Sequence, residues 1–227
     1  MQSSTVVKLL DLGIDSIEYG HAMDSSTLTL LLDANSYGNR GPTWNPMLSS
    51  DGASESSKKV FKEALKMGEN SRGGKIRMGC GGASSHASGK ANAGEMCLMV
   101  ELGADWRDVL RRSTLGGWEC VRPMSWDASE RLEAFAAAAS ASYVAPTEDE
   151  EGIWKGMDEW PLRDNDVPLG AIRPGYAADL VGFKGDLLIG GKEAFMEAFG
   201  GEESRVDFVM KAGKVYKARG VELPAAI

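Results

Sequence analysis

Apolar and polar positions change period repeatedly over the first 120 residues. Val6, Val7, Leu9 and Leu10 follow Ser4 and Thr5, either of which can cap a short helix. Gly13 stops that helix, because glycine tolerates the left-handed conformation common at helix ends. Residues 14–20 read as a strand, and Leu28, Leu30, Leu31 and Leu32 give an apolar face to a helix over 25–33. Pro42, Trp44, Pro46, Met47 and Leu48 make an extended stretch with too much proline for a central strand. Ser56 or Ser57 caps a helix in which Val60, Phe61, Ala64, Leu65 and Met67 recur at helical spacing before Gly68. A short strand over 75–80 ends in glycines, and a loop over 81–90 leads to a helix carrying Met96, Leu98, Met99, Val100 and Leu102, which Gly103 ends. Another helix spans 105–114, with Trp106, Val109 and Leu110 on one face. Helices alternating with strands and extended segments predict a parallel sheet with helical crossovers, so residues 1–123 read as α/β.

After Pro123 the pattern changes. Ala136, Ala137, Ala138 and Ala139 with Ser140 and Ser142 are low in complexity, and Glu148, Asp149, Glu150 and Glu151 form a charge run that reads as a solvated loop. With Pro146, Pro161 and Pro168 nearby, residues 124–166 read as an insertion or linker. From 167 to 227 the signals are those of strands. Pro174–Gly175 suits a type II turn, 180–183 and 206–210 are strands, and Ala212–Gly213 turns the chain into 214–216 as a hairpin.

Composition narrows the chemistry. A chain of 227 residues is one large domain or two small ones and can bury a core. Its 33 acidic against 25 basic residues give a net charge of −8, which repels phosphate backbones and anionic lipid, so neither nucleic acid nor a membrane is an expected partner. No leader pattern opens the chain and no apolar run reaches membrane-spanning length, which leads to a cytoplasmic expectation. Cys80, Cys97 and Cys120 are odd in number and lack Cys-x-x-Cys spacing, so reduced, buried thiols are expected. There are two histidines, His21 and His86, too few for a metal centre that needs three or more imidazoles. The loop ending in Gly89–Lys90 invites a phosphate reading, but Ser84 and Ala91 stand where a Walker loop needs its glycine and its hydroxyl. Cys80 and His86 form a formal Cys/His pair, which needs a depressed thiol pKa and proximity to react.

The run 169–183, LGAIRPGYAADLVGF, followed by 206–216, VDFVMKAGKVY, resembles the C-terminal signature of the amidohydrolase superfamily. Residues 13–20, GIDSIEYG, resemble the sixth strand of that family's barrel, and 76–82 the eighth. The segment from Glu95 through Glu101 to Thr114–Glu119 is similar to the last barrel helices of imidazolonepropionase-like and prolidase-like members, fungal ones in particular. The resemblance implies a partial (β/α)8 TIM barrel, its last three or so units, plus C-terminal strands of the composite β-sandwich. It also implies descent from a metal-dependent hydrolase of C–N bonds in non-peptide or cyclic amides, using zinc or another divalent ion, in small-molecule metabolism, secondary metabolism included.

Met1 falls just before the resembled sixth strand, so the resemblance omits the family's first five strands and their metal ligands. Where the sixth strand of the family ends in Ile-Glu-His-Gly, this chain has Tyr19 in place of the histidine. Ala83 stands at the position of the eighth-strand aspartate. A divalent ion that lowers the pKa of bound water to about 7 needs three or four converging ligands, so no cofactor is expected for this chain alone. Glu18, His21 and His86 remain as candidates: Glu18 more simply packs, His21 more simply makes a loop hydrogen bond, and His86 more simply lies on the surface. Three roles compete: a hydrolase relative that has lost its metal centre, degenerate or repurposed as a small-molecule enzyme or binder; a non-catalytic protein that pairs with itself or with another chain; or an active enzyme whose missing ligands another chain supplies. Three strands of a barrel leave open edges, which favours association.

Overall fold

Three short parallel segments organise the first region. In the computed structural model, which describes residues 3–36, 41–48, 54–70, 75–81, 90–121, 147–148, 154–155, 168–173, 176–201 and 205–223, β1 (Ser16–Glu18) pairs in parallel with β2 (Thr43–Asn45). Trp44 also forms a parallel bridge with Met78. The proline-rich stretch is therefore the central segment, contrary to the sequence expectation. Pro42 and Pro46 bracket the strand instead of interrupting it, so their missing N–H groups fall outside the ladder. Thr43 N donates to Asp15 O at 2.9 Å and Trp44 N to Arg77 O at 2.8 Å, while Tyr19 N reaches Asn45 O and Gly79 N reaches Trp44 O, each at 2.9 Å. All three β2 residues are buried, as expected for a parallel strand covered on both faces.

Helices supply that cover: α1 (Ser3–Asp11), α2 (Ser25–Ser36), α3 (Glu55–Asn70), α4 (Lys90–Glu101), α5 (Trp106–Arg111), α6 (Gly117–Val121) and α7 (Gly191–Gly200). Asp24 caps α2, its Oδ1 accepting from Thr27 N at 2.9 Å. Ser54, not Ser56 or Ser57, caps α3, with Ser57 N donating to Ser54 Oγ at 3.2 Å. Gly103, at φ 110°, turns the chain after α4 as expected. The helix expected over 105–114 continues through a π-helical turn, Arg112–Gly116, into α6.

That π turn covers a sheet edge. The Cys80 N–H, on the side of the third segment opposite β2, donates to the Arg112 carbonyl at 3.1 Å. Helix and strand come this close because a Cβ at Gly116 would stand 2.6 Å from Met78 O. Inside, Ile17, Leu28, Leu31, Trp44, Leu48, Phe61, Met99 and Val109 are all buried in one cluster. Phe195 of α7 joins them, its ring 6.2 Å from Trp106 and 4.8 Å from Phe199.

The chain divides into two compact units, Met1–Val121 with Gly185–Arg205, and Arg122–Lys184 with Val206–Ile227. The second contains β3 (Thr147–Glu148) paired antiparallel with β4 (Trp154–Lys155), so the start of the acidic run enters a strand where a loop was expected. It also contains an antiparallel sheet in the order β5 (Leu180–Phe183), β6 (Val206–Lys211), β7 (Lys214–Ala218), β8 (Val221–Glu222). The predicted hairpin at Ala212–Gly213 forms with φ of 49° and 79°, as a type I′ turn requires. Arg219–Gly220 repeats it, at 52° and 76°, between β7 and β8. The Pro174–Gly175 turn lies outside the described residues. No described helix is long and apolar enough to cross a membrane.

Candidate functional site

Parallel strands gather their C-terminal ends on one side of a sheet, where loops can combine side chains from several strands. Here β1 runs into Glu18, Tyr19, Gly20 and His21; β2 runs into Pro46, Met47 and Leu48; the third segment runs into Gly79, Cys80 and Gly81. Asn45 ties two of these ends together, its Nδ2 donating to Gly81 O at 3.4 Å while its Oδ1 accepts from Met47 N at 3.4 Å. Glu95, reaching across from α4, accepts from Leu48 N at 2.6 Å through Oε1.

The β1 end turns sharply because Tyr19 and Gly20 both have φ of 69°. A side chain at Gly20 would put its Cβ 2.6 Å from Met23 Cε, so the tight turn needs glycine there. Tyr19 is 43% exposed, and its carbonyl accepts from Trp44 Nε1 at 2.9 Å. Glu18, the last residue of β1, is exposed. The His21 ring meets the Tyr19 ring edge-on at 5.4 Å, and the His21 carbonyl accepts from Ser56 Oγ at 2.6 Å. Its Nδ1 is buried without a hydrogen-bond partner, and burial holds the imidazole pKa below its ordinary value. The loop hydrogen bond expected of His21 is thus made by its backbone carbonyl, while the ring is held by packing. His86 and Ala83 lie outside the described residues.

Glu95 is the site residue that the sequence reading missed. It is fully buried, and burial raises its pKa to about 7 against the opposing pull of the Leu48 N–H, the Cys80 thiol and the Gly81 N–H. Oε2 is buried without a hydrogen-bond partner, and the Cys80 thiol and the Gly81 N–H lie beside the carboxyl. The signal was its place on α4: Glu95 precedes the buried Met96 and stands one turn from the buried Met99, on the stripe that faces the core. Cys80 beside it is no activated nucleophile. Burial and the Glu95 charge push its thiol pKa up, the opposite of what thiolate chemistry requires.

Chemically, this end offers a titrating carboxyl shielded from solvent, a neutral imidazole nitrogen and an exposed phenol. Among the described residues no three His, Cys, Asp or Glu side chains gather closely enough to hold a metal ion. His21 Nδ1 and Glu95 Oε2 are each orphaned, but singly. The described donors therefore do not supply the three or four ligands of a hydrolytic divalent centre.

No protein-family model matches the chain. No curated protein matches it in sequence. Solved structures do match it in shape. An amidohydrolase structure aligns with TM-score 0.56 and 16% identity over 96% of this chain and 43% of its own. A Xaa-Pro dipeptidase with bound methionine in its active site aligns at 0.53 and 16%, covering 95% and 43%. The ochratoxinase of A. niger aligns at 0.56 and 17%, covering 96% and 41%. The fold is thus like part of an amidohydrolase-type fold, and the chain spans less than half the length of each of these neighbours.

Proposed function

We propose that this chain corresponds to the later part of an amidohydrolase-type hydrolase, with β1, β2 and residues 76–78 as three consecutive barrel strands and β5 to β8 as strands of the accompanying β-sandwich. By descent it hydrolyses C–N bonds with a metal-activated water; as this chain alone it binds a small amide without cleaving it. The observation that carries this reading is the end of β1. Tyr19 stands where the resembled family has a metal-binding histidine, in a left-handed turn and 43% exposed, and no described carboxylate or imidazole joins it in a ligand set. A protonated phenol is a poor metal ligand. Neighbours named Xaa-Pro dipeptidase and prolidase make dipeptide-sized amides the ligand class to try first. The setting we favour is cytoplasmic small-molecule metabolism.

The test is metal analysis of the purified chain after zinc supplementation, with hydrolysis of Xaa-Pro dipeptides measured in parallel. Zinc well below one ion per chain and no turnover above the blank are expected. Stoichiometric metal with turnover would overturn the reading.

A second reading, a self-associating or partner-binding protein, is favoured by one observation. β1 pairs with β2 alone among the described residues, so its other edge carries no strand. Sedimentation giving a single monomeric species would remove it.

A further inference from the structure

A cavity of 170 Å³ lies between residues 75–78 and the helical run from Asp108 to Glu119. It sits toward the start of the third parallel segment, away from the strand-end cluster at 79–81. Lys75, Arg77, Arg111 and Arg112 line it, against the carboxylates of Asp108 and Glu119. The chain as a whole carries a net charge of −8, so this concentration of cations runs against its background.

The two carboxylates are already engaged. Arg77 pairs with Glu119 at 3.1 Å and Lys75 with Asp108 at 3.5 Å. Neither Arg111 nor Arg112 makes an ion pair within 4 Å among the described residues. Arg112 is the telling group: its Nη1 is buried without an acceptor, and its guanidinium packs 5.8 Å from the centre of the Phe61 ring. Burial also lowers its pKa, the mark of a cation removed from water without full compensation. A buried charged donor left unsatisfied is costly, and an anion in the cavity would relieve that cost by drawing the guanidinium toward it.

We propose that this cavity binds a small oxyanion of the phosphate type, held by Arg112 and Arg111 with Lys75 at the mouth. Guanidinium groups match such an anion because their parallel N–H bonds meet two of its oxygens at once. The volume sets the size of the ligand. At about 30 Å³ per water it holds roughly five or six waters, and it falls below the ~300 Å³ at which sites for drug-sized molecules begin. An ion or a single phosphoryl head group fits; a nucleotide does not. An adjoining cavity of 220 Å³ shares Lys75, Asp108 and Arg112 but adds Asp105, whose carboxylate directs the anion to the first.

Calorimetric titration of the full chain with inorganic phosphate, at constant ionic strength set by chloride, tests the site. Saturable binding of one phosphate per chain is expected, with a higher melting temperature in phosphate than in matched chloride. Arg112→Gln and the more exposed Arg111→Gln are each expected to weaken binding about tenfold, while Lys211→Gln on β6 leaves it unchanged. If Arg112→Gln does not fold, Arg111→Gln carries the test. Methyl phosphate binding more tightly than inorganic phosphate identifies a phosphomonoester as the ligand, and the reverse identifies the free ion. Absence of saturable binding, or full affinity in Arg111→Gln, overturns the proposal.

Discussion

The parallel region and the antiparallel sheet are built by different forces. In the first region β1 and β2 have three residues each and pair across 25 or more positions of sequence, and the region holds the whole buried aliphatic and aromatic core of the described residues. The β5–β8 sheet has strands of up to six residues, its last two connections are two-residue turns, and none of its strand residues is buried. Burial specifies the former and turn chemistry the latter. Tyr19, His21, Glu95 and the cationic cavity all belong to the first region, where burial shifts His21, Glu95 and Arg112.

The most severe way to break this contrast is to delete a large side chain from each region. Phe61 is fully buried, and Phe61→Ala is expected to cost about 3–5 kcal/mol in urea unfolding. Val209, half-buried on β6, is expected to cost about 1 kcal/mol when changed to Ala. Equal losses would mean that the antiparallel sheet has a buried core of its own in solution.

Next in size is a pH effect confined to the first region. Glu95 has a folded pKa of about 7 against an unfolded value of 4.5, so the folded state holds its proton more tightly. Its contribution is fully present below pH 4.5 and is lost as pH rises through 7, a fall of about 3 kcal/mol. Lowered by burial, the His21 pKa acts the other way, removing stability as pH falls below 6.5. Glu95→Gln keeps an acceptor for Leu48 N and removes the titration. Urea midpoints between pH 5 and pH 8 should therefore fall for the unaltered chain, whereas for Glu95→Gln they should hold or rise slightly, because the lowered His21 pKa then acts alone. A parallel fall in both would assign the effect to another group.

How much was legible follows the same division. Local rules located the hairpin at Ala212–Gly213, because two positive φ angles in a two-residue turn leave a signature in adjacent residues. They also located the helix ends at Gly13 and Gly103. Local rules misjudged β2, since what makes Thr43–Asn45 a central strand is the pair of neighbours on either side, Ile17 and Met78, far away in sequence. Helix α7 passed unread for a related reason: Phe195 is buried against Trp106, a partner almost ninety positions away. At the candidate site Tyr19 and His21 were visible because they follow a strand. Glu95 was not, because a carboxylate on a core-facing helical stripe shows its importance only once Leu48 N–H and Cys80 are seen beside it.

The smallest expected effects separate the regions by mechanism. Gly116→Ala would force a Cβ to within 2.6 Å of Met78 O, a backbone atom, so the π turn must withdraw from the strand edge and the Cys80 N–H loses its acceptor. A cost of about 2–3 kcal/mol is expected, and every larger side chain should do worse. At Gly213 a Cβ would meet nothing within 4 Å, so Gly213→Ala costs only the left-handed backbone at φ 79°, about 1 kcal/mol. Gly213→Asn should return most of that, because asparagine tolerates the same conformation. Thermal melts of these three variants distinguish a glycine required for space from one required for its dihedral angle. Failure of asparagine to recover stability at 213 would show that the β6–β7 turn, too, depends on contacts beyond its own two residues.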